Sequence, residues 1–263
     1  MERLLVLKID AHNCSAEALL NDFPLGRIGP AGGSLVLPVH EFTVSGPNQL
    51  KLRVGPLDAG GEAQTLTAPG DARASARLLL PRVGNEAMED SARTLGAVEW
   101  TLPKGESYQA PLQRLQEVDL PVSFPLWRWR KAPPAETGAA TTALVLAALQ
   151  DIKADLERGE PASFLQLTRL RTEELAQAYQ RDPAAEQQRL EAHLRALHAK
   201  GALVFEDVAA DSLQLLPVAN GRLLECRDAQ GLPALRSVAD ADGAVHALPL
   251  RLALVAGIIY ALR

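Results

Sequence analysis

The chain has 263 residues, 47% of them hydrophobic and 22% charged, which fits two ordinary globular domains, each long enough to bury its own core. The formal net charge of -5 is thinly spread: residues 1–135 carry 14 Lys+Arg against 15 Asp+Glu, and residues 136–263 carry 13 against 17. Neither half has the basic surplus that a sequence-independent grip on nucleic acid requires.

The first half reads as short strands broken by Gly and Pro. Residues 3–9 form a first candidate strand. Glu17 to Leu20 and Phe23 to Ile28 read as a hairpin around Asn21-Asp22, a pair that tolerates the positive φ of a tight turn. Ser34 to Pro38 and Gln49 to Val54 follow, separated by a turn at Gly46-Pro47-Asn48. In the second of these, Leu50, Leu52 and Val54 alternate with Gln49, Lys51 and Arg53. Ala74 to Leu80, Val98 to Leu102 and Glu117 to Trp129 complete an expected antiparallel β-sandwich spanning residues 1–132. On the last strand, Trp127 and Trp129 would share one face and Arg128 and Arg130 the other. That makes the Trp pair either a cover for the core or a stacking surface for a partner.

The stretch Lys131 to Gly138 (K-A-P-P-A-E-T-G) reads as a linker, with a second domain over residues 139–263. Thr141 or Thr142 is placed to cap a helix carrying Leu144, Val145, Ala148, Ile152 and Leu156 on one stripe and ending at Gly159. Pro161 opens a second helix, with Ser163-x-x-Gln166 as a capping box and a restart at Thr172. Asp182-Pro183 starts a third, which Gly201 closes. Strands are then expected at Leu203 to Glu206, Ser212 to Leu216, Arg222 to Arg227, Ala234 to Val238, Val245 to Val255 and Ile258 to Leu262. Asn220-Gly221 and Asp242-Gly243 supply turns. The whole is α+β, with helices placed before an antiparallel meander in the second half.

Two resemblances accompany this pattern. Residues Leu35 to Val54, with their strand, G-x-N-x-L, strand rhythm, resemble jelly-roll modules of the galactose-binding-like kind, which implies sugar binding through exposed aromatics. Aromatic residues make up only 4% of this chain. Three helices followed by a meander resemble the cystatin-like or NTF2-like cone. In the NTF2-like enzymes an inward His or Asp moves protons, which would place His246 in that role.

Motifs for cofactor and metal chemistry do not occur. There is no G-x-G-x-x-G, P-loop, H-E-x-x-H or paired C-x-x-C. His40-Glu41 lacks its second ligand, since position 44 is Val. His193 and His198 lie about 140° apart around a helix and cannot share a metal from one face. Asp240-x-Asp242-Gly243 opens like a calcium loop but lacks the later ligands. Cys14 and Cys226 read as free thiols in a reducing compartment. The first residues offer no apolar run of signal length, and Leu252 to Leu262 is too short to span a bilayer.

These features lead to the expectation of a cytoplasmic, non-enzymatic protein-binding module, with no cofactor, metal, nucleic acid or membrane partner. In overall style it resembles bacterial immunity proteins, whose partner is a toxin. The expected partner-binding residues are Glu206, Asp207, Asp211, Asp228, Asp240 and Asp242 at strand ends and turns, with Trp127 and Trp129. The alternatives are an NTF2-like isomerase, dehydratase or hydrolase using His246, and a carbohydrate-binding or scaffold protein.

Overall fold

A computed structural model describes residues 4–56, 63–81, 92–120 and 123–263. The chain divides into two compact units, Met1–Leu126 and Trp127–Arg263. Helices and antiparallel sheets coexist, an α+β composition in which the first unit contributes sheets and the second helices followed by a sheet.

Ten strands of the first unit are described: β1 (Val6–His12), β2 (Ala16–Leu20), β3 (Phe23–Ile28), β4 (Gly33–Pro38), β5 (Gly46–Val54), β6 (Gln64–Thr67), β7 (Ala72–Leu80), β8 (Arg93–Leu102), β9 (Ser107–Ala110) and β10 (Leu112–Leu120). They form two four-stranded sheets, ordered β4-β1-β7-β8 and β10-β5-β2-β3, with β6 and β9 paired beside them. The alternation along β1 and β5 buries Leu7, Ile9, Leu50, Leu52 and Val54 between the large sheets. Their approach is close. A Cβ on Gly26 of β3 would lie 2.6 Å from Ile9 Cδ1 of β1 and 2.7 Å from Leu35 Cδ2 of β4.

The Asn21-Asp22 hairpin forms as expected, with φ of 51° and 65°. Residues 46–48, expected as a turn, begin β5 instead. Gly46 takes φ 78°, and the Asn48 side chain replaces the missing turn bonds by accepting from Val44 N and donating to the carbonyls of Val44 and Gly46. Asn21 Nδ2 donates to Asn48 Oδ1 at 2.8 Å, so two buried amides satisfy each other where a ladder cannot reach. Strand β2 buries Glu17 completely, and its carboxylate takes Arg27 Nε at 2.6 Å and Arg53 Nη1 at 2.9 Å from the strands on either side.

The strand expected from Glu117 to Trp129 is a correction. β10 ends at Leu120, and residues 128–131 form a 3-10 turn. Trp127 and Trp129 are therefore not alternate positions of one strand.

The second unit holds α1 (Ala139–Glu157), α2 (Ala162–Ala178), α3 (Pro183–Ala199), and the strands β11 (Gln214–Val218), β12 (Leu223–Arg227), β13 (Arg251–Val255) and β14 (Ile258–Ala261). The sheet is an antiparallel meander in chain order. α2 packs against α1, α3 and β14, and its Phe164 joins Val145, Leu149, Leu194, Leu203, Leu235 and Leu252 in one buried core. Residues 131–138, expected as a linker, include a fastening to the second unit: Ala135 N donates to Gly221 O at 2.8 Å.

Asp182 caps α3 as expected, accepting from Ala184 N and Ala185 N, with Pro183 in the first turn. Gly159, at φ 79°, closes α1; an added Cβ there would sit 2.7 Å from His198 Cδ2. The expected break at Thr172 does not occur. Thr168 and Thr172 hydroxyls donate to the carbonyls of Phe164 and Thr168, which satisfies both buried groups inside one continuous helix. Ser163 lies within α2 and not at its cap. The capping residue of α1 is Gly138, ahead of Thr141.

The strands expected at 203–206, 234–238 and 245–250 are reduced to isolated bridges, Phe205 to Ser237 and Arg236 to Ala247. Pro233, Pro249 and the Asp-centred turns at 228 and 240 interrupt the ladder there.

Candidate functional site

The segment between β12 and β13, residues 228–250, is longer than most connections, which makes it a natural place for function. It lies beside residues 203–207. Val238 N donates to Val204 O, Glu206 N to Arg236 O, and Ser237 N to His246 O. Alternation along these extended pieces buries Leu203, Phe205, Leu235 and Ser237 and turns Val204 and Val238 outward, with Val245 exposed nearby. Those three valines are 53%, 39% and 53% exposed.

The six expected carboxylates divide into two groups. Glu206, Asp207, Asp211 and Asp242 are exposed. Asp207 reaches Lys153 of α1 at 3.0 Å while staying almost wholly in solvent. Asp228 and Asp240 are half-buried and serve the backbone. Asp228 accepts from Gln230 N and Leu232 N and pairs with Arg236. Burial pushes its carboxyl up, but the Arg236 guanidinium and the Leu232 amide outweigh this and hold it below the ordinary carboxylate range. Asp240 accepts from Asp242 N and Ala244 N, and its Oδ2 lies 3.2 Å from His246 Nε2. The Ala244 amide and the imidazole lower its pKa. These two aspartates hold turns together, so their availability to a partner is a correction: most of their acceptor capacity is already used.

Trp127 and Trp129 are also corrected. Both are buried, Trp127 completely. Arg263 lies over the Trp127 ring at 5.3 Å, so the cation–π contact is internal. Neither ring offers a stacking surface.

The Ser237, His246 and Asp240 side chains lie close, but they do not form a nucleophilic relay. Ser237 Oγ accepts the backbone N–H of His246, while the imidazole turns to Asp240. The thiols are equally unsuited. Burial pushes Cys14 up, and Cys226 is pushed up to about 12, first by burial and then by the neighbouring Glu225. No group of three or more His, Cys, Asp or Glu that could hold a metal occurs among the described residues. No helix among them is long and apolar enough to cross a membrane.

A second candidate lies on the outer face of β1, β7 and β8, which the sequence reading did not single out. Cross-strand register aligns His12 with Arg73 and Arg73 with Thr101 in one row, Asp10 with Ser75 and Ser75 with Glu99 in the next, and Lys8 with Arg77 in a third. These residues line a groove made of two adjoining cavities of about 580 and 560 Å³, which share His12, Arg73 and Thr101. Its sequence signal was the period-2 polar residues of residues 8–12 and 73–77; the register between them is a tertiary fact.

Comparison of the chain with family models, with curated proteins and with solved structures returns no match.

Proposed function

We propose that this is a non-enzymatic cytoplasmic protein-binding module of the immunity type, acting through the 203–207 and 238–245 surface of the second unit. The observation that carries the reading is the exposure of Val204, Val238 and Val245 beside Glu206, Asp207 and Asp242. Apolar side chains rimmed by charge are a common mark of a protein-interaction surface. Carboxylates around them steer a partner with a basic surface, such as a nucleic-acid-cleaving toxin. The face is open, so a partner meets it without entering a pocket.

The fold families belong to the same reading. Two packed antiparallel sheets support a β-sandwich for the first unit. Helices followed by a meander support a cystatin-like or NTF2-like second unit. The enzymatic alternative draws on one feature, the 3.2 Å contact between His246 and Asp240, a pair that can shuttle a proton.

The test captures the partner from an extract of the native host, with wild-type protein and a Glu206→Lys, Asp207→Lys, Asp211→Lys, Asp242→Lys variant side by side. The expected result is a basic protein retained by the wild type, lost by the variant, and released by salt, with unchanged melting of the variant. Equal retention by both proteins removes this surface. Turnover of a small molecule that His246→Ala abolishes establishes the enzyme instead.

A further inference from the structure

We infer that the partner docks by strand addition: an extended segment of it, apolar along one side and basic at one end, pairs with the open edge of residues 245–247. The inference rests on the protein-binding reading above and supplies its mode.

Pairing within the second unit creates the edge. Residues 203–206, 235–238 and 246–248 lie side by side as extended pieces, tied by the bridges of Phe205 to Ser237 and Arg236 to Ala247. Leu248 N donates to Leu235 O and Ser237 N to His246 O, both at 2.8 Å, and His246 N donates to Ser237 Oγ at 2.9 Å. The N–H groups of His246 and Leu248 thus face the neighbouring piece. Successive residues of an extended chain aim their backbone groups to opposite sides, so the N–H and C=O of Val245 and Ala247 point outward. Neither residue makes a hydrogen bond among the described residues, and both are exposed. Exposed, unpaired backbone of this kind is a template for another strand. The window is short. Pro249 has no N–H, and its carbonyl accepts Arg171 Nη1 at 3.0 Å. On the far side of the three pieces, Phe205 N is taken by Glu157 Oε1 at 2.9 Å.

Side chains then select the segment. Arg236 and Ala247 oppose each other and share a face, so by alternation Val238 and Val245 share it too, and Val204 lies beside Val238. A strand added at the edge lengthens this valine row, which favours an apolar side chain directly beside Val245. The turn that leads into the window carries the exposed Asp242, which favours a basic residue at that end of the segment. A second copy of this chain would bring another set of the same carboxylates, whereas a basic segment is complementary to them. Main-chain bonds hold such a segment, and its alternate side chains give the specificity.

The probe is a capped hexapeptide, Thr-Val-Thr-Val-Lys-Lys, titrated into the full-length protein while the amides of residues 236–238 and 244–248 are followed. In the free protein the amides of Val245 and Ala247 are expected to exchange fast and that of Leu248 slowly. Peptide at millimolar concentration is expected to shift these signals and slow exchange at Val245 and Ala247. The same peptide N-methylated at both valines is expected to bind about tenfold more weakly, because it has lost the donors that face the edge. Ala247→Pro removes an N–H that no bond among the described residues uses, and is expected to weaken the peptide to the same extent. Val245→Lys leaves the backbone alone and is expected to weaken it several-fold, so the test stands even where the proline variant melts early. The inference is overturned if Val245 and Ala247 are already protected in the free protein, or if the peptide moves none of these amides. It is equally overturned if the N-methylated peptide binds as tightly, or if Val245→Lys binds like the wild type. A dimer of the free protein that Ala247→Pro abolishes gives the edge to a second copy instead. A host partner that is lost on charge reversal but retained by Ala247→Pro overturns the edge and leaves the surface reading in place.

Discussion

Glu174 and Arg263 form an ion pair buried in the second unit, Oε2 to Nη1 at 2.5 Å, with 5% and 1% of their side chains exposed. The contact joins the last third of α2 to the second residue after β14. The same carboxylate accepts the backbone N–H of Arg128 at 2.6 Å, and the guanidinium lies over Trp127. One acidic side chain thus secures a helix, the segment after the last strand and the 3-10 turn.

Glu174→Gln removes the charge but keeps the shape, breaking the buried pair with Arg263. Breaking one partner of a buried pair costs about 3–5 kcal/mol. We expect a loss of that order in urea unfolding of the variant, with Arg263→Met in the same background recovering part of it because a buried charge is gone. A Glu174→Gln protein as stable as the wild type would show that Arg263 is neutralised elsewhere.

Acid should act on the turn at 228–232. The Asp228 carboxyl titrates below its ordinary value of 3.8 in the folded protein. A depressed carboxyl stabilises the fold above its unfolded pKa, and that stability is lost as pH falls through the folded value. Wild-type melting should therefore decline below about pH 4. Asp228→Asn should melt lower at pH 7 and show a shallower decline between pH 4 and pH 2. Parallel pH profiles for the two proteins would refute the linkage.

Neither thiol should react while the protein is folded. Cys14 and Cys226 are free and buried, and both are held above the ordinary thiol range. A disulfide-exchange reagent at pH 8 is expected to label both only after denaturation, at a rate that follows unfolding. Fast labelling of Cys226 in native buffer would contradict the burial described for β12.

Much of the local structure was determined by the sequence alone. Asn21-Asp22 and Asn220-Gly221 adopt positive φ because short polar side chains and glycine tolerate it, and hairpins follow in both places. Asp182-Pro183 caps α3 for reasons confined to one turn of chain. The apolar stripe of α3 needed only the helical period, whereas on α1 Leu144 of the expected stripe is exposed and Leu149, outside it, is buried. Tertiary structure decided what local rules leave open. Thr172 reads as a helix restart, yet its hydroxyl finds a carbonyl one turn back and α2 continues. Trp127 and Trp129 read as one face of a strand, yet they sit in or beside a 3-10 turn and are buried. The carboxylates looked equivalent in the sequence. Hydrogen bonds to nearby amides engage Asp228 and Asp240, whereas Glu206, Asp207, Asp211 and Asp242 stay in solvent. The row His12, Arg73 and Thr101 comes from three separate strands and exists only through their register. Period-2 alternation says which residues share a face; pairing alone says which of them meet.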